Sequence, residues 1–143
     1  MAATSLDQNP GKRGPIRQIV LDLASTSTGA AAIPIGTMVA TAATSAGAVR
    51  AADTAGLVVQ GVACQAANFA NGDRRIVVER GIFRLPNDGT ITAANVGQLA
   101  TVLDNNTVSL AATTTNDIGC GWIVEVDSIG VWVDMTQAKI AAA

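Results

Sequence analysis

The chain has 143 residues, of which nine are basic, eleven are acidic and none is histidine, so its net charge is −2. Without histidine, Ser-His-Asp catalysis, Cys-His catalysis and His-ligated zinc are excluded. A charged fraction of 14% with this balance is not typical of a nucleic-acid-binding protein, so no nucleic-acid partner is expected.

The first 15 residues, MAATSLDQNPGKRGP, are polar and contain two prolines and two glycines. Proline disfavours helix and keeps the chain extended, so residues 1–15 are predicted to form an extended N-terminal arm. Residues 16–140 are predicted to fold as a single β domain. Because no predicted core strand lies within the arm, deletion of residues 1–14 is expected to leave the β domain folded.

The β domain is predicted from the spacing of its apolar residues. From Ile19 to Leu23 they recur at every second position, which indicates a strand with one mostly apolar face. Downstream, short runs of Val, Ile and Thr are separated by Gly, Asn and Asp. This pattern predicts an all-β fold, either a small β-sandwich or a β-barrel-like (tulip-type) domain. A short helix is allowed at residues 88–96, where Thr92 would be the N-cap.

Two hairpins are predicted in the second half of the chain. In residues 99–110, Asn105 and Asn106 are expected at the two positive-φ positions of a tight turn. In residues 122–135, a turn at residues 127–130 would bring two alternating strands together. In this second hairpin one face is expected to carry Val124, Val126, Val131, Val133 and Met135, and the other Glu125, Trp132 and Asp134.

A weak internal repeat links the two halves of the chain. Four short segments of the first half recur, in the same order, in the second half. Such a repeat predicts duplicated β units of three or four strands, each burying its apolar face against the other. The first copy comprises residues 35–39, 48–52, 60–62 and 76–78, and the second comprises residues 96–100, 107–112, 118–120 and 131–133.

The two cysteines, Cys64 and Cys120, are too few and too far apart for a zinc site. We expect two buried thiols at similar places in the two repeats, and an intracellular, reducing environment. The arm lacks the apolar run of a signal peptide, and no window approaches the ~18 apolar residues of a membrane span. The sequence therefore predicts a soluble protein with no membrane partner.

A series of short segments runs through the β domain in a recognisable order: Gln60-Gly61-Val62-Ala63, Asn71-Gly72-Asp73, Arg75 to Glu79, Gly81 to Pro86, Val96-Gly97, Val102-Leu103-Asp104, Thr107-Val108, Asp117-Ile118-Gly119 and Val131-Trp132-Val133. This order resembles the core of the bacteriophage capsid cement, or head decoration, family. The resemblance covers roughly residues 16–135. The long polar arm and the two cysteines depart from it.

The resemblance implies a small β protein that binds the outside of an assembled phage head and clamps neighbouring capsid subunits, often as a trimer. The implied partners are the major capsid protein and further copies of this chain. The implied location is the outer capsid surface of the virion, after synthesis in the host cytoplasm. The composition agrees, because a chain without histidine or tyrosine offers little chemistry, and we expect no enzymatic activity and no cofactor.

Basic residues are the candidates for the interface with the capsid or a neighbouring subunit. Arg74, Arg75, Arg80 and Arg84 form the densest cluster, and on a regular strand Arg80 and Arg84 share a face. They would meet carboxylates of a partner, the alternative being a solvated sheet face.

The arm supplies further candidates for an interface. Lys12 and Arg13, with Arg17 just beyond, are expected to lie on an adjacent subunit, the alternative being a frayed tail. Trp122 and Trp132 are expected to be core residues or interface anchors, and Trp132 is the one assigned to the interface.

Five acidic residues and no basic residue lie between positions 104 and 134. In a homo-oligomer this acidic half would face the basic strand of the next subunit in a closed ring. No Asp-rich loop with the spacing of a calcium site is present, so no metal is expected. Gly119-Cys120-Gly121 lacks the third glycine of a dinucleotide fingerprint.

Two other classes of function remain open. The first is a carbohydrate- or receptor-binding β module displayed on a virion, which the absence of tyrosine and the scarcity of other aromatic residues disfavour. The second is an enzyme that uses only carboxylates, such as a glycosidase, favoured only by the acidic second half.

Overall fold

The computed structural model describes residues 3–42 and 47–136. Within these ranges the strands form one antiparallel sheet that curls into a half-barrel, which confirms the predicted all-β class. The predicted end of the domain at residue 140 lies outside the described residues. The strands are β1 (Gly11–Asp22), β2 (Met38–Ala42), β3 (Ala48–Arg50), β4 (Leu57–Ala63), β5 (Arg75–Leu85), β6 (Leu99–Val102), β7 (Val108–Leu110), β8 (Gly119–Val126) and β9 (Val131–Asp134).

Strand β5 is the centre of the sheet. The strand order is β3-β2-β4-β5-β9-β8-β6-β7, and β1 also pairs with β5. Residues 78–79 of β5 pair with β4 and residues 82–85 pair with β9, whereas β1 runs along residues 75–84. Because a strand has two edges, β1 occupies the edge opposite to β4 and β9. Strand β5 therefore joins the two halves of the sheet.

The pairing register confirms the internal repeat, but it shifts the third segment by two residues, so that residues 60–62 correspond to residues 120–122 and not to 118–120. The pair Val39–Arg50, between β2 and β3, recurs as Ala100–Leu110 between β6 and β7. The first unit spans residues 19–79 and the second residues 83–134, so β5 contributes to both. Each unit has five strands, one more than the largest predicted unit. Further recurring pairs are Val39–Gly61 with Ala100–Gly121, Val62–Glu79 with Trp122–Asp134, and Ile19–Val78 with Phe83–Val133.

A β-bulge recurs at the same place in the two units. Gln60 is the extra residue where β4 passes β2, and Cys120 is the extra residue where β8 passes β6. Cys120 therefore corresponds to Gln60, and the expectation that Cys64 and Cys120 occupy similar places was wrong. Within the described residues the two cysteines form no disulfide; Cys120 is buried, as expected, whereas Cys64 is only half-buried.

The residue after each bulge is a glycine because the strands approach closely there. A Cβ at Gly61 would lie 2.7 Å from Val78 Cγ1, and a Cβ at Gly121 would lie 2.6 Å from Val133 Cγ1. Each would also overlap the carbonyl oxygen of the residue that follows the valine. The two units therefore share a steric requirement as well as a register.

Apolar side chains are buried on both faces of β5. Ile76 and Val78 belong to a smaller cluster in the first unit, whereas Phe83 and Leu85 belong to a larger cluster that extends through both units. Side chains alternate along a strand, so these two pairs point to opposite faces. Burial of each contributes about 1.5–3 kcal/mol, and one strand anchors both clusters.

The first predicted hairpin forms between β6 and β7, but its turn differs from the prediction. The loop spans residues 103–107. Among the described non-glycine residues, Ala112 and Asp117 have positive φ, and Asn105 and Asn106 do not. A two-residue loop requires positive φ at both positions, whereas this longer loop does not.

The second predicted hairpin forms between β8 and β9, with one residue displaced. The register shifts between Ile123 and Glu125, so Val124 is exposed and Ile123 takes the core position. The bulge reverses the alternation on which the prediction depended. The other expected core positions are confirmed; they are Val126, Val131, Val133 and Met135.

Two boundaries also differ from the prediction. Strand β1 begins at Gly11, so the last residues of the predicted arm belong to the sheet. The helix allowed at residues 88–96 is reduced to a single 3-10 turn, Ala93–Asn95, capped by Thr92. Asn95 closes this turn, since its Oδ1 accepts from the N–H of Thr92 at 2.8 Å and its N–H donates to the Thr92 carbonyl at 2.9 Å.

Candidate functional site

The predicted interface residues of the arm make contacts within their own chain. Arg13 donates to both carboxylate oxygens of Glu125, at 3.1 and 3.0 Å, and its guanidinium lies 3.8 Å from the centre of the Trp132 ring. Trp132 is 6% exposed and donates from Nε1 to Asp127 at 3.1 Å. Arg84 lies 5.3 Å from the same ring. Trp132 is therefore held by Arg13, Arg84 and Asp127, and Glu125 in turn holds Arg13.

The carboxylates of this cluster are stabilised in their charged form. The hydrogen bonds from Arg13 hold the pKa of Glu125 below its usual value. The backbone N–H groups of Gly130 and Ile129 lower the pKa of Asp127, with smaller contributions from Trp132 and Arg84. Glu125 and Asp127 of the acidic half, expected to face basic residues of a neighbouring subunit, thus pair with Arg13 and Arg84 of the same chain.

Acid is expected to loosen the contact between Arg13 and Trp132. The folded-state pKa values of Glu125 and Asp127 are depressed, so their stabilising contribution is complete above the ordinary carboxyl pKa of about 4 and is lost as the pH falls through the lower folded values. In a Trp122→Phe background, Trp132 fluorescence should change as the pH falls below about 4. The Glu125→Gln variant should lack the part of this change that comes from Arg13 and keep the part that comes from Asp127, which accepts from Trp132 Nε1. A flat titration of the parent would contradict the prediction.

Lys12 also binds the body of the protein. Its Nζ lies 2.7 Å from Glu79, a residue that is only 8% exposed. A buried carboxylate is costly without a partner, so this ion pair fixes the arm against the first unit. The neighbouring Cys64 has its pKa raised by burial and, secondarily, by the charge of Glu79. The thiol is therefore protonated near neutral pH.

The beginning of the arm is fastened by Asn105, which is 1% exposed. The side chain of Asn105 accepts from the N–H of Thr4 at 3.0 Å and donates to its carbonyl oxygen at 3.0 Å. Arg50 donates to the same carbonyl at 2.6 Å. The sequence suggested only a turn residue at Asn105, because no sequence pattern indicates a partner 101 positions away.

The remaining predicted basic residues divide into bound and exposed ones. Arg80 donates to Gln60 at 2.9 and 2.6 Å, and Arg74 lies 3.8 Å from the centre of the Phe69 ring. Arg17 is exposed, and Arg75 makes a solvent-exposed ion pair with Asp22 at 3.8 Å. Among the basic residues predicted for the interface, Arg17 and Arg75 have guanidinium groups that a partner can reach.

Several acidic side chains accept hydrogen bonds from loop backbone, within one loop at Asp117 and between two loops at Asp53. Asp117 accepts from the N–H of Ala112 at 2.8 Å, and Asp53 accepts from the N–H groups of Thr115 and Asn116 at 2.9 and 2.8 Å. Within the described residues, no three Cys, Asp or Glu side chains are grouped so as to hold a metal ion.

An apolar surface on the second unit was not assigned from the sequence. Val96, Trp122 and Val124 are between 40% and 51% exposed. Trp122 is the most exposed of the four aromatic side chains. The pairing register aligns Trp122 with Val62, which is buried. The repeat as predicted from the sequence matched residues 60–62 with 118–120, so it did not reveal this difference.

No protein-family model matches the chain, and comparisons with curated proteins and with solved structures gave no match either. None of the helical segments in residues 3–42 and 47–136 is long and apolar enough to span a membrane.

Proposed function

We propose that this chain is a structural virion protein that binds the outer surface of the mature phage capsid and clamps neighbouring major capsid subunits as a homotrimer. The sequence resemblance suggests this function. The observation that carries it is that one body has two separate exposed surfaces. Strand β5, which both units share, and the bound N-terminal arm hold that body together. A clamp requires such a body, because a flexible link between the two surfaces would transmit no constraint.

The first surface is the outer side of β1. In the described part of the chain, β1 pairs only with β5, so no described strand pairs with its other edge, which an irregularity between Arg13 and Arg17 divides into two stretches. Open strand edges pair readily with other chains. Arg17 is exposed along this strand, and Val20 is 58% exposed. This edge is the proposed contact between copies within the trimer.

The second surface is the apolar one around Trp122, on β8, which belongs to the second unit. Large exposed apolar residues grouped together are typical of interaction sites. This surface is the proposed contact with the capsid. A ligand that binds only the mature lattice stabilises it by RT ln(1 + [L]/Kd) per site, about 2.7 kcal/mol at a hundredfold excess over Kd. Three linked contacts would raise the avidity further.

Purified protein is expected to cosediment with empty mature heads, to saturate at a fixed number of copies per head, and to raise the temperature at which the heads open. A variant with Arg17→Gln and Arg75→Gln should bind less at low salt than the wild type, because exposed charges speed encounter and orient partners. The difference should shrink at high salt. Failure of the wild type to bind heads under any of these conditions would refute the proposal.

A carbohydrate-binding role is the second candidate, and the exposed ring of Trp122 favours it. Sugar sites often present an exposed aromatic ring on which the pyranose face packs. A glycan screen separates the two functions: saturable binding that is lost in Trp122→Ala would favour this candidate over capsid binding.

A further inference from the structure

The N-terminal arm covers the surface of the first unit around Gly36. The N–H of Gln8 donates to the carbonyl oxygen of Ile35 at 2.6 Å, and Lys12 Nζ lies 2.7 Å from Glu79. The arm passes so close that a Cβ at Gly36 would overlap the backbone of Gln8. This surface therefore accepts an extended segment with a basic side chain four positions after a backbone donor.

The second unit has the corresponding backbone surface, and within residues 3–42 and 47–136 no segment lies over it as the arm lies over Gly36. Gly97 corresponds to Gly36, and their φ angles are 90° and 78°. The N–H of Gly97 donates to the carbonyl of Ile123 as that of Gly36 donates to the carbonyl of Ala63, at 2.8 and 2.7 Å. Among the described residues, nothing lies within 4 Å of the position that a Cβ would take at Gly97.

Three apolar side chains and a carboxylate occupy the register positions of residues that lie around Gly36 in the first unit. Val96, Trp122 and Val124 are 51%, 48% and 40% exposed. Asp134 holds the register position in β9 that Glu79, the partner of the arm lysine, holds in β5. Val96, Gly97, Trp122, Val124 and Asp134 are called the Gly97 surface below.

We infer that the Gly97 surface docks an extended segment of the capsid subunit that carries a lysine or arginine four positions after a backbone N–H donor. The segment lies over Gly97 as residues 8–12 lie over Gly36, with its N–H on the carbonyl of Val96 and its cation at Asp134. The inference rests on the proposed function for the identity of the partner, and it adds the chemistry that the partner must have.

A second copy of this chain is a poorer source of the segment. Its arm is already bound through Thr4, Gln8, Lys12 and Arg13. Docking on another copy would break these contacts, whereas a capsid segment breaks none of them. The charge also agrees, since a basic segment would meet the carboxylate of Asp134, whose Oδ1 accepts from the N–H and the hydroxyl of Thr136 at 3.0 and 2.7 Å.

The test blocks the surface without disturbing the fold. Asparagine tolerates positive φ better than other side chains, so Gly97→Asn places a side chain over the surface at low backbone cost. The matched control is Gly72→Asn, since Gly72 has a φ of 94° and open space around it. Urea midpoints of both variants establish that they fold alike.

In cosedimentation with mature heads, Gly97→Asn is expected to bind at least about tenfold more weakly than wild type, as loss of a central contact residue does. Gly72→Asn should bind like wild type. Equal binding of Gly97→Asn and wild type would overturn the inference and leave the proposed function standing. If the wild type itself does not bind heads, the proposed function fails, and the partner assigned here fails with it. If the wild type self-associates and Gly97→Asn does not, the inference about the capsid segment is also overturned, because the occupant of the Gly97 surface would then be a second copy of this chain.

A peptide provides a readout that does not need heads. The synthetic arm segment LDQNPGKRG, residues 6–14, carries the chemistry that the surface requires. When this peptide is titrated into the protein, the indole N–H NMR resonance of Trp122 should shift saturably in wild type and in Gly72→Asn. It should not shift in Gly97→Asn. A peptide with Lys12→Gln should bind more weakly. The absence of any shift in wild type would overturn the inference.

Discussion

Replacing Gly121 with alanine is expected to unfold the protein or to lower its free energy of unfolding by about 3 kcal/mol or more. The new methyl group would lie 2.6 Å from Val133 Cγ1 and would overlap the carbonyl oxygen of Asp134. A backbone atom cannot turn aside as a side chain can, so β8 and β9 would have to separate. Urea unfolding followed by circular dichroism measures the loss.

Gly119→Ala is the matched control, two residues earlier on the same strand. Its Cβ would meet only side-chain carbons of Leu99, at 3.2 Å and beyond, and Leu99 is half-buried and free to adjust. We expect a loss of less than about 1.5 kcal/mol. The repeat adds a second check, because Gly61→Ala should behave like Gly121→Ala. Similar midpoints for the variants at 119 and 121 would show that the close approach is not required.

Deletion of residues 1–14 is the second change with a large expected effect. The sequence suggested that the β domain would stay folded without them, and the contacts of the arm reverse that expectation. Truncation leaves the buried Glu79 without Lys12, leaves Asn105 without the backbone of Thr4, and uncovers the ring of Trp132. Each buried polar group left unpaired costs about 1–3 kcal/mol, and native domains have only about 5–15 kcal/mol in total.

The truncated chain is therefore expected to unfold at a clearly lower urea concentration, or to be recovered only as aggregate. A deletion of residues 1–3 is the control, because it keeps Thr4 and every arm contact described here. The Lys12→Gln variant keeps the whole arm and should show an intermediate midpoint, which separates the ion pair from the strand pairing. An unchanged midpoint after removal of residues 1–14 would mean that the arm contributes nothing to stability.

The sequence predicted the parts of this fold that depend on local pattern. Alternation of Val and Ile with polar residues predicted the strands, and the recurrence of short segments predicted the two units. The displacement of Val124 was not predictable, because a bulge depends on the pairing with β9 and not on the residue itself. The binding of the arm by Asn105 was not predictable either, since Thr4 lies 101 positions earlier in the chain.

The candidate interface residues also divide into what the sequence predicted and what only the folded chain shows. Clusters of arginine identified where charge is concentrated, but they did not show which side chains are already neutralised. Arg13 and Arg84 are taken up by Trp132 and its carboxylates, whereas Arg17 stays exposed. The surface around Gly97 emerged only after the register had aligned the two units, because only then could a covered glycine be compared with an open one.

The position of β5 in both units has a consequence for how the chain folds. A duplicated domain with separate halves can fold one half at a time, each with its own barrier. Here residues 75–85 complete the first unit and begin the second, so neither half has a full complement of strands without the other. Strand β5 also lies near the middle of the chain. The longest segment that must close to pair with β5 is therefore about half as long as it would be for a strand at one terminus. Local opening on one side of β5 therefore removes a neighbour from the other side, and the two repeats are expected to lose their structure together.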